Sequence, residues 1–177
     1  MAKKNQNKQT HKLTRFEFVK TKARTFPIYK CYINSEWFDV GFAYIIIVRL
    51  KPGGNFLAGF YSIDTFIKGV CKTRALSNTN QEEINEFLKL MAPKKDDESI
   101  IVEIDYALAH NIIFGAIAYA KTKSFEPDYE FSCTKYILEE DDDKIEKIEI
   151  DFENNIMFRE YESEIERQKN IDLTSKE

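Results

Sequence analysis

The chain has 177 residues, of which 43% are hydrophobic and 14% aromatic, which is enough for one domain with a core and too few for two domains. Its longest uncharged apolar runs are less than half the roughly 20 residues that span a bilayer, and no apolar signal stretch follows the N-terminus. Three widely spaced cysteines fit reduced thiols, so we expect a cytoplasmic protein and exclude membrane-spanning and disulfide-stapled secreted proteins.

The net charge of -4 conceals an asymmetry along the chain. Residues 1–30 carry nine Lys and Arg against one acidic residue, a net of +8, whereas the rest of the chain has a net of -12. Opposed blocks of this kind are typical of interaction tails. We therefore expect a basic arm at residues 1–26, a single domain at residues 27–161 and a flexible acidic and polar tail at residues 162–177.

The basic arm is expected to be partly helical, or disordered when alone. Its first ten residues are too polar to bury enough surface to fold. Apolar residues then recur at helical spacing, at Leu13, Phe16, Val19 and Ala23. This pattern predicts a short basic amphipathic helix that Pro27 ends, and removal of residues 1–24 is expected to leave the fold intact.

Three strands are predicted after the arm. Residues 28–34 and 41–50 are rich in β-branched and aromatic residues. Residues 51–55, a Lys-Pro-Gly-Gly-Asn turn, join the second of these strands to a third at residues 56–63 as a hairpin, because proline presets one dihedral and the glycines permit positive φ.

Two helices are expected next, a short one and a longer one. Asp64 is expected to cap a helix at residues 65–67 that breaks near Gly69, after which the chain carries a basic patch of Lys68, Lys72 and Arg74. A longer helix then begins either at Thr79 with Glu82 or at Asn80 with Glu83. The apolar face of this helix is formed by Ile84, Phe87, Leu88 and Met91. Pro93 closes the helix, and residues 94–99 form a charged loop.

Residues 105–121 are the only long segment that is apolar on nearly every side, and they predict a buried central helix. Residues 100–104 lead into it, either as its first turn or as a short extended run. A short helix at residues 131–138 and a half-buried strand at residues 148–152 follow, the latter paired in a C-terminal hairpin with residues from Ile156 onward. The sequence therefore predicts an α+β fold, in which an antiparallel sheet, a meander plus a C-terminal hairpin, packs on the central helix.

Signals for catalysis and for metal or nucleotide binding are weak. Residues 69–73 lack the glycines of a phosphate loop, and the histidines and cysteines lack the paired spacing of zinc sites. The carboxylates of residues 139–143 lack the alternation and the glycine of a calcium loop. Cys71 and His110, oriented by Asp105 or Asp64, leave a thiol enzyme open as the weaker alternative. We expect no enzyme, metal, cofactor or small-molecule substrate.

The basic arm gives the strongest indication of function. Its cations are interleaved with aromatic residues, a mixture that neutralises phosphates and presents rings to bases or sugars. The predicted RNA-binding residues are Lys3, Lys4, Lys8, Lys12, Arg15, Lys20, Lys22, Arg24, Lys30, Lys68, Lys72 and Arg74. An arm that orders on structured RNA and a merely solubilising tail both remain open. Because the acidic body repels a polyanion elsewhere, the arrangement favours docking at one place on an RNA–protein particle.

A different class of function uses the acidic region near the C-terminus. Residues 139–143 contain five consecutive carboxylates, and thirteen acidic residues lie between positions 139 and 166. A face of this charge would attract a basic partner. The alternative prediction is therefore a protein–protein adaptor.

Four segments of the chain resemble a family of uncharacterised proteins from Bacteroidota: IYKCYIN with the Trp that follows, VRLKPGGNFLAGFYSID, EIDYALAHNIIFGAIAYA and TKYILEEDDDKIE. The resemblance covers residues 27–152. Where that family has Cys-Leu-Gly-Val-Lys this chain has Phe-Ile-Lys-Gly-Val-Cys-Lys at residues 66–72, and an aspartate at position 128 replaces the histidine of a Pro-His pair. The departures remove a cysteine and a histidine that a shared metal or thiol site would need.

The Lys-, Ile- and Asn-rich composition resembles that of an AT-rich flavobacterium. The resemblance implies a large-subunit ribosomal protein peculiar to that phylum, which would fit the size of the chain and its basic arm. Its expected partners are ribosomal RNA and ribosomal proteins. On this basis the sequence predicts a structural or accessory RNA-binding protein of the ribosome, with no catalysis.

Overall fold

A five-stranded antiparallel sheet, in the order β4-β3-β2-β1-β5, forms the centre of the protein. The structure is a computed structural model that describes residues 13–91 and 100–153, and the backbone of residues 156–159. Its helices are α1 (Arg15–Lys22), α2 (Trp37–Val40), α3 (Gln81–Met91), α4 (Tyr106–Thr122) and α5 (Phe131–Thr134). Its strands are β1 (Ile28–Asn34), β2 (Phe42–Leu50), β3 (Phe56–Asp64), β4 (Gly69–Thr79), β5 (Ile101–Ile104), β6 (Ile148–Asp151) and β7 (Ile156–Arg159).

The first four strands form a meander, which confirms the predicted fold class. The turn between β2 and β3 is closed by the Lys51 N–H, which donates to the Asn55 carbonyl at 2.8 Å. Gly53 and Gly54 adopt φ values of 93° and 87°, which glycine reaches without steric cost. Residues 100–104, whose form the sequence left open, supply β5, which pairs antiparallel with β1. β6 and β7 form the predicted hairpin as a separate two-stranded sheet.

The predicted helix after Asp64 is absent, and this prediction was wrong. Residues 65–68 form a turn in which the Asp64 carboxylate accepts the N–H groups of Phe66 and Ile67 at 3.0 and 2.9 Å. Gly69, with φ of 66°, then directs the chain back along β3 as β4, a strand of 11 residues that the sequence pattern did not predict. The basic patch predicted around Lys72 and Arg74 therefore belongs to an edge strand.

The central helix α4 packs on one face of the sheet, as predicted. Asp105 caps it, because its side chain accepts the Leu108 N–H at 2.7 Å. Its buried residues, among them Ile112, Ile113 and Ala116, join Ile45 and other sheet residues in the larger of two hydrophobic clusters. Full burial of such side chains stabilises a fold by about 1.5–3 kcal/mol each.

Helix α3 packs on the opposite face and confirms one of the two predicted starts. The Asn80 side chain accepts the Glu83 N–H at 2.9 Å, and Glu83 accepts the Asn80 N–H at 3.1 Å, which is a capping box. The predicted apolar face of α3, Ile84 with Phe87, Leu88 and Met91, contacts Ile46 and Val48. Pro93 and the predicted charged loop at residues 94–99 lie outside the described residues.

Helix α1 belongs to the core. Thr14 and Glu17 form its capping box, and Val19 and Ala23 are fully buried. A single 3-10 turn at Ala23–Thr25 follows α1 and Phe26 is extended, so the helical segment ends before Pro27, as predicted. The burial of α1 argues against the expectation that residues 1–24 are dispensable for folding, because their loss would open a cavity beside α5. No helix in the described part of the chain is long and apolar enough to cross a bilayer.

Candidate nucleic-acid interface

The α3 face of the sheet is only partly covered. Helix α3 covers Ile46, Val48 and Ala58, which are fully buried. Further along β2 the same face carries Tyr44, whose side chain is 40% exposed, and the half-buried Phe42, which packs on the Tyr44 ring at 5.1 Å. Side chains alternate between the two faces of a strand. The exposed part of this face is therefore aromatic.

Two rows of side chains cross this exposed part from β2 to β4. Tyr44 pairs with Ser62, and Ser62 pairs with Lys72. In the next row, Phe60 of β3 pairs with Arg74 of β4. Neighbouring strands lie about 4.8 Å apart, so the register sets Ser62 and the Phe60 ring directly beside the two cations. The Tyr44 ring lies one strand further from Lys72.

A groove of about 350 Å³ lies over these rows. Its floor contains Tyr44, Phe60 and Ser62, and Phe87 and Met91 of α3 form one wall. The rings of Phe60 and Phe87 lie 4.6 Å apart at 46°, which joins the floor to the α3 wall. Lys72 and Arg74 line the side that faces the sheet edge. The groove volume lies near the lower end of the roughly 300–1,000 Å³ of small-molecule sites.

A second cavity, of about 220 Å³, lies beside the groove and shares Lys72 and Arg74 with it. Its other lining residues are Arg15 of α1 with Asp128, Tyr129 and Glu130, which precede α5. The Asp128 carboxylate accepts the Thr73 N–H at 3.0 Å and so fixes this segment to β4. The start of α1 and the edge strand β4 thus place three cations around one cavity.

The three cations of this cavity are exposed and make no ion pair with another residue in the described ranges. We call Arg15, Lys72 and Arg74 the cationic edge. The two nearby carboxylates, Asp128 and Glu130, line the cavity and not the groove. Of the described residues, therefore, those that an anion meets on the groove side of Lys72 and Arg74 include no carboxylate.

The other predicted RNA-binding residues are distributed differently. Lys3, Lys4, Lys8 and Lys12 lie outside the described residues. Lys22 and Lys68 are exposed, on α1 and in the turn before β4. Lys20 and Arg24 lie over the Tyr136 ring at 5.8 and 5.7 Å, at the other end of α1 from Arg15. Among the described members of the set, Arg24 forms an ion pair with Glu140 and Lys30 forms one with Glu103, each at 2.6 Å.

The candidate thiol pair is not assembled. Cys71 is exposed on β4, and its Sγ donates to the Gly69 carbonyl at 3.5 Å. His110 is 2% exposed on α4, where its ring packs between Tyr106 and Phe114. No hydrogen bond joins the two residues in the part of the chain that the structure describes. The described residues also contain no group of three or more His, Cys, Asp or Glu that would hold a metal ion.

Burial of His110 gives a prediction for the pH dependence of stability. Its pKa is lowered mainly by burial, against the opposing effects of the Asp141 carboxylate and the backbone of residues 139 and 140. The unfolded chain, with an ordinary histidine pKa near 6.5, therefore takes up the proton first as the pH falls. We expect His110 to cost no stability above about pH 6.5, where it is neutral in both the folded and the unfolded chain. Below that pH the free energy of unfolding should fall, because the unfolded chain binds the proton more readily.

The measurement compares the wild type with His110→Leu in urea titrations from pH 7.5 to pH 5.0. The stability of the wild type should fall more steeply over this interval, because the leucine variant has no proton to bind at position 110. Parallel curves for the two proteins would show that His110 is not the group responsible.

The predicted acidic face is partly neutralised within the domain. Glu139 accepts from Arg49 at 2.6 Å, Glu140 pairs with Arg24, and Asp142 pairs with Lys144 at 2.7 Å. Three of the five consecutive carboxylates therefore have cationic partners on the same chain. Glu139 and Glu140 anchor the segment that follows α5 to the sheet and to the end of the α1 region, whereas Asp142 pairs within the segment itself.

The aromatic half of the site was not identified from the sequence. The sequence indicates Lys72 and Arg74 as RNA-binding residues, but it places Tyr44 and Phe60 only within predicted strands. Their proximity to the cations depends on β4, which was not predicted. In the structure Tyr44 and Phe60 alternate with buried Ile45 and Tyr61 and so lie on the face opposite α4, but the apolar runs around them in the sequence do not distinguish the two faces.

Comparison of this chain with protein-family models, with curated proteins and with solved structures gave no match.

Proposed function

We propose that this protein is a structural or accessory component of the ribosome in the cytoplasm. It binds RNA through the cationic edge and through the basic residues of the arm that precede Arg15. The observation that carries the proposal is that Arg15 of the basic arm lines the same cavity as Lys72 and Arg74 of the edge strand. Residues far apart in the sequence thereby form one cationic surface. The arm enters the domain at this surface.

The charge distribution supports a single docking site. The chain outside residues 1–30 has a net charge of -12, so most of its surface repels a polyanion. Phosphate contacts are then restricted to the cationic edge and the arm. A protein of this kind is suited to one position on a large RNA–protein particle, and a large-subunit location is the expectation that follows from the resemblance.

The test measures RNA affinity for a variant in which Arg15, Lys72 and Arg74 are all changed to glutamine. The fold should be retained because all three side chains are exposed. Each lost phosphate contact reduces the slope of log affinity against log salt by about one. We expect the slope to fall by about two to three and the affinity at low salt to fall roughly tenfold or more.

The matched control changes Lys121, Lys144 and Lys147 to glutamine, which removes the same net charge from exposed positions elsewhere. This control should bind RNA nearly as well as the wild type. An equal loss in both variants would indicate a general charge effect and would count against a localised interface.

The ribosomal assignment has its own readout, sedimentation of host lysate through sucrose gradients at low and high salt. The wild type should migrate with ribosomal particles at low salt and partly dissociate at high salt, and the cationic-edge variant should dissociate at lower salt. A truncation that removes only residues 1–12 tests the arm without disturbing α1. RNA binding in vitro without comigration would remove the ribosome from the proposal.

A further inference from the structure

We infer that the groove between α3 and β4 holds an unpaired RNA base, stacked on Tyr44 and Phe60, while the adjoining phosphate lies on Lys72 and Arg74. The inference rests on the proposed RNA binding and specifies its substrate as a single-stranded segment. The structural basis of the inference is the order in which chemical groups follow one another across the sheet. Rings, a hydroxyl group and cations follow one another from β2 to β4 in a fixed register.

The groove fits an aromatic plane that carries polar edges. Tyr44, Phe60 and Phe87 present rings, and every nucleobase has a π face that stacks on such rings whatever its sequence. Met91 adds a flexible apolar wall, which adapts to rings of different outline. The Ser62 hydroxyl lies on the floor between Tyr44 and Lys72, where it can donate to or accept from the edge of a base.

Charge complementarity selects a nucleotide over an uncharged aromatic ligand. Among the residues that the structure describes, Lys72 and Arg74 line the groove without an acidic neighbour, and Asp128 and Glu130 lie only on the far side of the two cations. The phosphate of a nucleotide whose base occupies the groove then lies at the β4 rim. The neighbouring phosphate of the same strand then lies within reach of the cavity that contains Arg15.

The arrangement discriminates against duplex RNA. Bases within a helix are stacked on both faces, and the A-form major groove is too deep and narrow for side chains to enter. A ring can stack on Tyr44 only if its base is unpaired and turned outward. Loops, bulges and single-stranded ends of a structured RNA meet this condition.

The experiment measures fluorescence anisotropy of the full chain with a labelled ten-nucleotide oligouridine and with a blunt duplex that carries the same number of phosphates. The variants are Tyr44→Ala, which removes a side chain that is 40% exposed, and Tyr44→Phe, which keeps the ring. We expect the wild type to bind the single strand more tightly. Tyr44→Ala should weaken single-strand binding about fivefold or more and leave duplex binding unchanged, while Tyr44→Phe should match the wild type.

A second readout does not depend on the stability of the variants. Photocrosslinking of 5-iodouridine RNA to the wild-type protein, followed by mass spectrometry, should place adducts on Tyr44 or Phe60. Equal losses for single strand and duplex in Tyr44→Ala, or adducts confined to residues outside the groove, would overturn the inference and leave the proposed function standing. Failure of every RNA to bind would overturn both.

Discussion

Replacement of Arg49 by methionine is expected to lower the free energy of unfolding by about 3–5 kcal/mol, the range for breaking a buried ion pair. The Arg49 side chain is 1% exposed and donates three hydrogen bonds. They run to the carbonyls of Ile137 and Phe26 and to the Glu139 carboxylate, at 2.6 to 2.7 Å. Methionine fills similar volume but leaves these acceptors without a donor, and each unsatisfied buried acceptor costs about 1–3 kcal/mol.

Arg24 offers a matched control, because it donates to the same kinds of acceptor as Arg49, each one residue later in the segment that follows α5. It donates to the Leu138 carbonyl at 2.8 Å and to Glu140 at 2.6 Å, but its side chain is 31% exposed. Water can replace the lost donors there, so Arg24→Met should cost about 1 kcal/mol or less. Urea titrations at pH 7, monitored by circular dichroism, measure the free energy of unfolding of the two variants and of the wild type. Similar losses in the two variants would show that burial does not set the cost.

The difference between the two arginines explains how the acidic segment is built. Arg49 and Arg24 bind consecutive carbonyls and consecutive carboxylates, one pair inside the domain and one at its surface. The carboxylates of Glu139 and Glu140 therefore serve first to hold the segment after α5 against the sheet and α1. A basic partner would have to compete with these contacts, which is why the cationic edge is the stronger candidate for an interface.

The sequence predicted elements whose signals are local. The turn at residues 51–55, the cap at Asn80 and the apolar arc of α4 are each fixed by residues within one or two turns of chain. Buried Arg49 was not recognised, because at the end of a hydrophobic strand it has the pattern of an edge residue. Its partners, Phe26, Ile137 and Glu139, come from two distant segments, and no local pattern indicates them.

Strand β4 was missed for two physical reasons. Its pairing with β3 is irregular in two places, next to Ala58 and next to Ser62, and each irregularity interrupts the alternation that marks a strand. The carboxylate of Asp64 also accepts the two N–H groups that follow it, which is the same local interaction that starts a helix. Without β4 the cations had no known neighbours, so the aromatic groove could not be predicted.

Gly69→Ala is expected to lower the free energy of unfolding by about 2–5 kcal/mol, because two costs combine at this position. The residue has φ of 66°, and a left-handed conformation costs a residue with a Cβ roughly 1–2 kcal/mol. A Cβ there would also lie 2.8 Å from the Cβ of Ala120 and 2.9 Å from the Ala116 carbonyl oxygen, closer than packing allows. Overpacking of a core site adds about 1–3 kcal/mol.

Gly53→Ala separates these two costs. Gly53 has φ of 93°, but a Cβ there would have no neighbour within 4 Å, so only the conformational cost of about 1–2 kcal/mol applies. Urea titrations of the two variants and the wild type give the difference, which measures how closely α4 packs on the start of β4. Equal losses would mean that the helix shifts without cost. A larger loss at Gly69 would mean that α4 fixes the start of the strand that carries Lys72 and Arg74, and so helps to set the position of the cationic edge beside the aromatic groove.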